Sequence, residues 1–374
     1  MKICIVIGAF LPIPPKKGGA VEKMWLRLAE EFAALGHEVT MISRTYPGLP
    51  ERETLRGVAH VRVAGYDTPA SPLKLKLLDL LYALRARRAV PADVDIVVTN
   101  TFWAPVVIRG QQRGCVYVDV ARMPKGQMRL YRKVGRLRAN STPVAEAIKA
   151  ELPAARHGRV RMIPNPLPFV PEGLPPKPAT PSFLYVGRVH PEKGVHVLLA
   201  ALHAMDTPMP TRIVGPWHVQ EGGGGEAYWQ QLQTLAAGLP VVFVGPLFDM
   251  DALNAEYAKA TVFVYPSLAE KGETFGLAPL EAMAWGCVPV VSDLACFKDF
   301  IHHDINGWVF NHRAPEPQAA LATCLQAAMA TPARMTAMAG EALRVRQSHS
   351  SKSIAEAFLQ DFAEVAQHSR KGSA

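Results

Sequence analysis

Residues 164–181, PNPLPFVPEGLPPKPATP, place eight prolines in eighteen positions. Proline donates no backbone hydrogen bond and clashes with the preceding helical turn, so neither a helix nor a sheet ladder crosses this stretch. It reads as an extended connector. The chain of 374 residues is thereby divided into two parts, each of which must build its own core. With 49% hydrophobic residues there is ample material for two.

The two parts repeat one pattern. In the first, residues 3–7 form an apolar strand, Gly18-Gly19 the turn after it, and the next helix carries Val21, Trp25, Leu28, Phe32 and Leu35 on one face. Gly36 ends that helix and residues 37–42 make the next strand. The second part restarts with a strand at 183–186, a turn at 187–194 and a helix from 195 to 203. Further strands are expected at 211–214, 241–244, 262–265 and 288–291, alternating with helical segments. This alternation predicts an α/β protein of two Rossmann-like, doubly wound domains facing across a cleft, 1–172 and 173–353, with ligands bound beyond the carboxyl ends of the strands.

Composition narrows the function classes. No apolar run reaches the ~20 residues of a membrane-spanning helix, and the apolar start runs into Pro-Pro-Lys-Lys-Gly-Gly without a cleavage site, so a secretory leader is not expected. Five scattered cysteines without metal spacing read as plain thiols in a reducing, cytoplasmic setting. Residues 1–172 hold 27 Lys and Arg against 14 Asp and Glu, whereas residues 173–374 hold 14 against 18. The basic half carries no nucleic-acid recognition motif.

Chemistry concentrates in KGETFGLAPLEAMAWGCVPVVS, residues 271–292. Glu273 falls on the loop after a strand and Glu281 inside the next helix; between them the backbone amides of Phe275, Gly276 and Leu277 open that helix, the arrangement that binds anions. A carboxylate near a helix start, or a cation in a turn, is often only a dipole partner or a solvated residue. Here, however, Arg188, Lys193, Gly18-Gly19 and these amides all occupy strand-to-helix turns. Two cations and a helix start suit a diphosphate, and two carboxylates suit vicinal hydroxyls. The ligand implied is a nucleoside-diphosphate sugar.

The segments GGAVEKMWLRLAEEFAALGHEVTMIS, IPNP, LYVGRVHPEKGVHVLLAAL, VVFVGPL and PSLAEKGETFGLAPLEAMAWGCVPVVSDL together resemble the retaining glycosyltransferases of family 4, with their GT-B fold. Glu273 to Glu281 matches that family's E-x7-E motif. The resemblance implies glycosyl transfer, with retention, from a UDP- or GDP-sugar to a hydroxyl of a glycan or lipid-linked acceptor, as in polysaccharide or lipopolysaccharide synthesis. It makes Arg188 and Lys193 the diphosphate cations, Glu281 the ribose partner and Glu273 the donor-sugar contact. Phe275, Gly276 and Leu277 would bring backbone donors, with Gly18 and Gly19 closing from the other domain. It further implies that the first domain binds acceptor and that the C-terminal helix, 354–374, packs back onto it.

Some features depart from that pattern. Asn100 and Asp119 stand where relatives often have histidines; Asp119 could orient the acceptor hydroxyl or take its proton, or be a buried structural carboxylate. Two Asp-x-Asp triplets, 93–95 and 249–251, read as strand entry and helix cap, and no metal or cofactor is expected. Segments 73–90 and 122–138 mix cations with leucines and other apolar residues, as amphipathic segments at an anionic membrane surface do and as core helices also do. The glycine run 222–225 reads as a flexible loop. A nucleotide-sugar epimerase or a non-catalytic nucleotide-sugar binding subunit would account for the same donor residues.

Overall fold

The computed structural model describes residues 1–16, 19–108, 114–178 and 180–371. It forms two compact units, one of Met1–Pro168 together with the chain from His349 onward, the other Phe169–Ser348. The first crossing between units falls inside the proline-rich connector, the second just ahead of the last helix.

The first unit is built on eight strands: β1 (Lys2–Val6), β2 (Glu38–Arg44), β3 (Arg52–Leu55), β4 (Val58–Val63), β5 (Ile96–Thr99), β6 (Cys115–Val120), β7 (Arg136–Ala139) and β8 (Val160–Met162). Their order is β3-β4-β2-β1-β5-β6-β7-β8, parallel except where β3 meets β4. The central strands are short apolar runs because helices cover both faces; all four residues of β5 are buried. Strand order reverses between β1 and β5, which leaves a crevice beyond their carboxyl ends.

Helix Ala20–Ala34 covers one face, burying Trp25, Leu28, Ala29 and Phe32. Leu35, expected on that face, lies beyond the last helical turn and is exposed. The helix packs against the long helix Ser351–Lys371, whose Phe358 ring lies 5.2 Å from Trp25 and whose Phe362 lies 5.7 Å from Phe32. Tyr117 in β6 donates its hydroxyl to Asp361 at 2.7 Å. The C-terminal helix is therefore part of the first unit's core.

Beneath it lies a charged node. Arg138, with no exposed surface, donates to Asp119 Oδ1 (2.7 Å), to the carbonyl of Ile163 (2.7 Å) and to Asn165 (2.9 Å), with its guanidinium 5.3 Å from the Phe358 ring. Trp25 Nε1 donates to the other Asp119 oxygen at 2.8 Å.

On the opposite face, helix Pro72–Ala89 buries Asp79, Tyr82, Ala83 and Ala86. Asp79 accepts from the backbone N–H of Trp103 at 3.0 Å. Segment 122–138 departs from expectation, forming a 3-10 turn, Gln127–Leu130, and then β7. Met128, Tyr131, Val134 and Leu137 are core residues there, so these apolar positions fill the interior and form no amphipathic helix.

The second unit has a six-stranded parallel sheet: β9 (Phe183–Val186), β10 (Thr211–Val214), β11 (Val241–Gly245), β12 (Val262–Tyr265), β13 (Val288–Ser292) and β14 (Trp308–Phe310). The order β11-β10-β9-β12-β13-β14 reverses between β9 and β12, and the turns that leave these two strands define the second crevice.

Removing one partner of a buried ion pair leaves the other charged and unsolvated. Arg138→Met should destabilise the first unit by about 3–5 kcal/mol in urea unfolding, and Arg138→Met combined with Asp119→Leu should recover much of that loss. Burial pushes the Asp79 carboxyl up to about 6 from its ordinary 3.8. Its contribution is therefore present below pH ~3.8 and fades as pH rises through ~6, a change of roughly 3 kcal/mol. Asp79→Asn, which retains an acceptor for Trp103, should flatten the pH dependence of Tm across that window.

Candidate active site

The turn leaving β9 carries Arg188 and Lys193, and the loop leaving β12 carries Glu273. Gly194 brings the turn and loop together. It has φ +71, and a Cβ there would run into the carbonyl of Pro266, so only glycine allows the two backbones to approach this closely. The result is a direct pair in which Lys193 Nζ donates to Glu273 Oε2 at 2.7 Å, with the two side chains only 8% and 12% exposed.

The same carboxylate oxygen accepts from Tyr265 at 3.1 Å and from Ser267 at 3.4 Å. Burial, and then the Glu273 charge, push the Tyr265 phenol well above its ordinary value, so it stays protonated and donates. Its ring stacks on Tyr185 at 5.7 Å, and the Lys193 ammonium lies 5.7 Å from the Tyr265 ring centre. Glu273 is thus a largely buried carboxylate held by a cation and two hydroxyls.

Arg188 is partly exposed at the rim. Its guanidinium donates to Gly222 O at 2.8 Å and to Glu192 Oε1 at 2.7 Å. Gly223 is pressed on the backbone of Trp217, and Gly224 on Pro191 and Tyr228, too closely for any Cβ. The run 222–225 is therefore packed, with Gly222 against Arg188, rather than the flexible loop expected.

Glu281 occupies the helix Leu277–Ala284 and accepts from Tyr257 at 2.9 Å. Gly276 caps that helix with φ +95, where a Cβ would enter the Phe297 ring. Phe275 is buried against Phe300, with ring centres 5.4 Å apart. The second unit alone thus assembles Arg188, Lys193, Glu273, Phe275, Gly276, Leu277 and Glu281 around one reversal of strand order. Sequence reasoning missed Tyr265, Ser267, Tyr257 and Glu192; only Glu192, four residues after Arg188, carried a legible signal.

Gly19 and Asp119 belong to the first unit, and Gly18 lies outside the described residues. A pocket of about 440 Å³ beyond β1 and β5 is lined by Gly19, Glu22, Asn100, Asp119, Arg122 and Tyr131, among others. Both Asp119 oxygens accept, from Arg138 and from Trp25, and its side chain has no exposed surface. Asn100 Oδ1 is buried without a hydrogen-bond partner among the described residues. Burial raises the Glu22 carboxyl, an effect Arg122 opposes. Of the Asp-x-Asp triplets, Asp249 caps its helix by accepting from Asp251 N at 3.2 Å, and Asp95 accepts from Lys2 N at 2.9 Å.

Residues 180–329 match the family model for glycosyl transferases group 1, and residues 18–168 that for glycosyltransferase family 4. A sulfoquinovosyl transferase of Arabidopsis thaliana is 34% identical over 131 residues, 35% of this chain and 23% of that protein. The chain's matches span about a quarter to a third of the length of the first curated relatives. Sucrose-phosphate synthase from Thermosynechococcus elongatus superposes with a TM-score of 0.75 at 22% identity, over 98% of this chain and 99% of that one. Anabaena Alr3699/HepE, solved in complex with UDP-glucose, gives 0.68 at 16% identity, over 97% and 100%. The two parallel-sheet domains have the GT-B fold, and the family matches support a glycosyltransferase of the family-4 type.

Lys193→Met should lower stability of the second unit by about 3 kcal/mol, since Glu273 would keep two hydroxyls but lose its counter-charge. Lys193→Arg should lose less. Guanidinium chloride unfolding of both variants measures the difference.

Proposed function

We propose that this chain is a retaining glycosyltransferase that moves a sugar from a nucleoside-diphosphate donor to a hydroxyl of a glycan or lipid-linked acceptor. The observation that carries the reading is the Lys193–Glu273 pair, a cation and a carboxylate held beside Arg188 where the sheet of the second unit reverses order.

In this reading the second unit binds the donor. Arg188 meets the diphosphate, with Glu192 holding its guanidinium at the rim until the ligand arrives. An ammonium has three donors, so Lys193 serves Glu273 and a phosphate oxygen together. The amides of Phe275, Gly276 and Leu277 add the positive end of their helix. These fixed charges stabilise the diphosphate as the glycosidic bond breaks, the task a metal performs elsewhere. Glu281 accepts from the ribose hydroxyls, and Glu273 contacts the donor sugar as its anomeric carbon gains oxocarbenium character.

The first unit, with its pocket of Asn100, Glu22 and Arg122, takes the acceptor; the unpartnered Asn100 Oδ1 suits a hydroxyl. Asp119 acts there by positioning Trp25 and Arg138. No helix among the described residues is long and apolar enough to cross a membrane. We place the enzyme in the cytoplasm, in keeping with five cysteines that form no disulfide.

Calorimetric titration with UDP, GDP, ADP and their sugars, in the presence of a chelator, tests the reading. One nucleotide family should bind, and Arg188→Ala and Glu281→Ala should each weaken it about ten- to a hundredfold. Binding to none, or affinity indifferent to both substitutions, would overturn it.

A further inference from the structure

Helix Pro72–Ala89 turns four leucines to solvent: Leu73 is 80% exposed, Leu77 56%, Leu81 39% and Leu84 43%. Steps of four, four and three residues align them in one continuous ribbon along the helix. Scattered exposed leucines are ordinary, but a contiguous apolar ribbon with a polar rim marks a contact surface. No other helix among the described residues exposes more than one large hydrophobic side chain.

The rim is cationic. At 100° per residue, Lys74 and Arg85 border one side of the ribbon, Lys76 and Arg87 the other, and Arg88 lies beside its C-terminal end. The helix's one acidic residue, Asp79, is on the buried face. A second copy docked on this face would set five cations against five, whereas lipid phosphates complement them while acyl chains receive the leucines.

We propose that helix Pro72–Ala89 docks the first unit on an anionic lipid surface, its leucine ribbon entering the headgroup boundary. The inner face of the helix is tied to the pocket of the first unit. Asp79 holds the Trp103 N–H, Trp103 Nε1 donates to the carbonyl of Lys76 at 2.9 Å, and the Lys76 ammonium lies 5.0 Å from the Phe102 ring. Asn100, Thr101 and Phe102 line that pocket. Docking therefore sets the pocket beside the lipid surface. The further consequence, that the acceptor hydroxyl is carried by a lipid, rests on the reading of the first unit as the acceptor side.

The test is co-sedimentation of the whole chain with phosphatidylcholine vesicles, with or without ~30% phosphatidylglycerol, at low and high salt. Two variants accompany it: Leu73→Ser/Leu77→Ser/Leu81→Ser/Leu84→Ser, and Lys74→Glu/Lys76→Glu/Arg88→Glu. Wild type should bind only the anionic vesicles, less at high salt, and each variant should bind about tenfold less. Absence of wild-type binding, or binding by either variant as tight as wild type, would overturn the proposal. So would a wild-type dimer in sedimentation velocity that the serine substitutions dissolve, since the ribbon would then belong to a second copy. Nucleotide calorimetry on the same preparations should be unchanged by either variant, so a failed donor reading and a failed docking reading give different results.

Discussion

A charge taken out of water has to be answered by another charge, and in the second unit that requirement organises the neighbourhood. Lys193 and Glu273 are both largely removed from solvent, and each is tolerable only because the other is 2.7 Å away. Their meeting depends on the backbone contact between Gly194 and Pro266, on the end of β12 that supplies Tyr265, and on Ser267 behind it. The stacked Tyr185 and Tyr265 rings supply the apolar wall on which the pair rests. A site assembled this way is arranged before any ligand enters, which is the condition for electrostatic stabilisation without reorganisation.

The first unit solves a similar problem with another outcome. Asp119 and Arg138 are also buried and paired, but their further partners are all internal: Trp25, the Ile163 carbonyl, Asn165 and the Phe358 ring. The Lys193–Glu273 pair lies in the same turn region as a half-exposed Arg188, where the sheet of the second unit reverses order. One pair thus locks a core, while the other keeps a little exposure, 8% at Lys193 and 12% at Glu273.

Much of this was legible beforehand. The apolar runs at 183–186 and 262–265 end where β9 and β12 end, because a parallel strand buried on both faces leaves little room for polar residues. The carboxylates at 273 and 281 were legible through their spacing around a glycine-opened helix. What periodicity could not show is which apolar residues of a basic segment face inward. Tyr131 and Leu137 are core residues, whereas Leu73 and Leu77 are exposed; only tertiary packing separates them. The run 222–225 misled for a related reason. Glycine signals either freedom or close approach, and the decision belongs to Trp217, Pro191 and Arg188, which lie elsewhere in the chain.

The helix Ser351–Lys371 has a consequence for how the molecule comes into being. Phe358, Asp361 and Phe362 complete a core whose other walls are Trp25, Phe32 and Tyr117. During synthesis the first half of the chain emerges early and waits, its apolar face uncovered, while the second unit is made and folds from contiguous sequence. The unit translated first is thus the last to be finished. In the interval its exposed aromatic residues are a target for chaperones, and a ribosome that stalls just short of this helix would release a chain with one sound half and one open one.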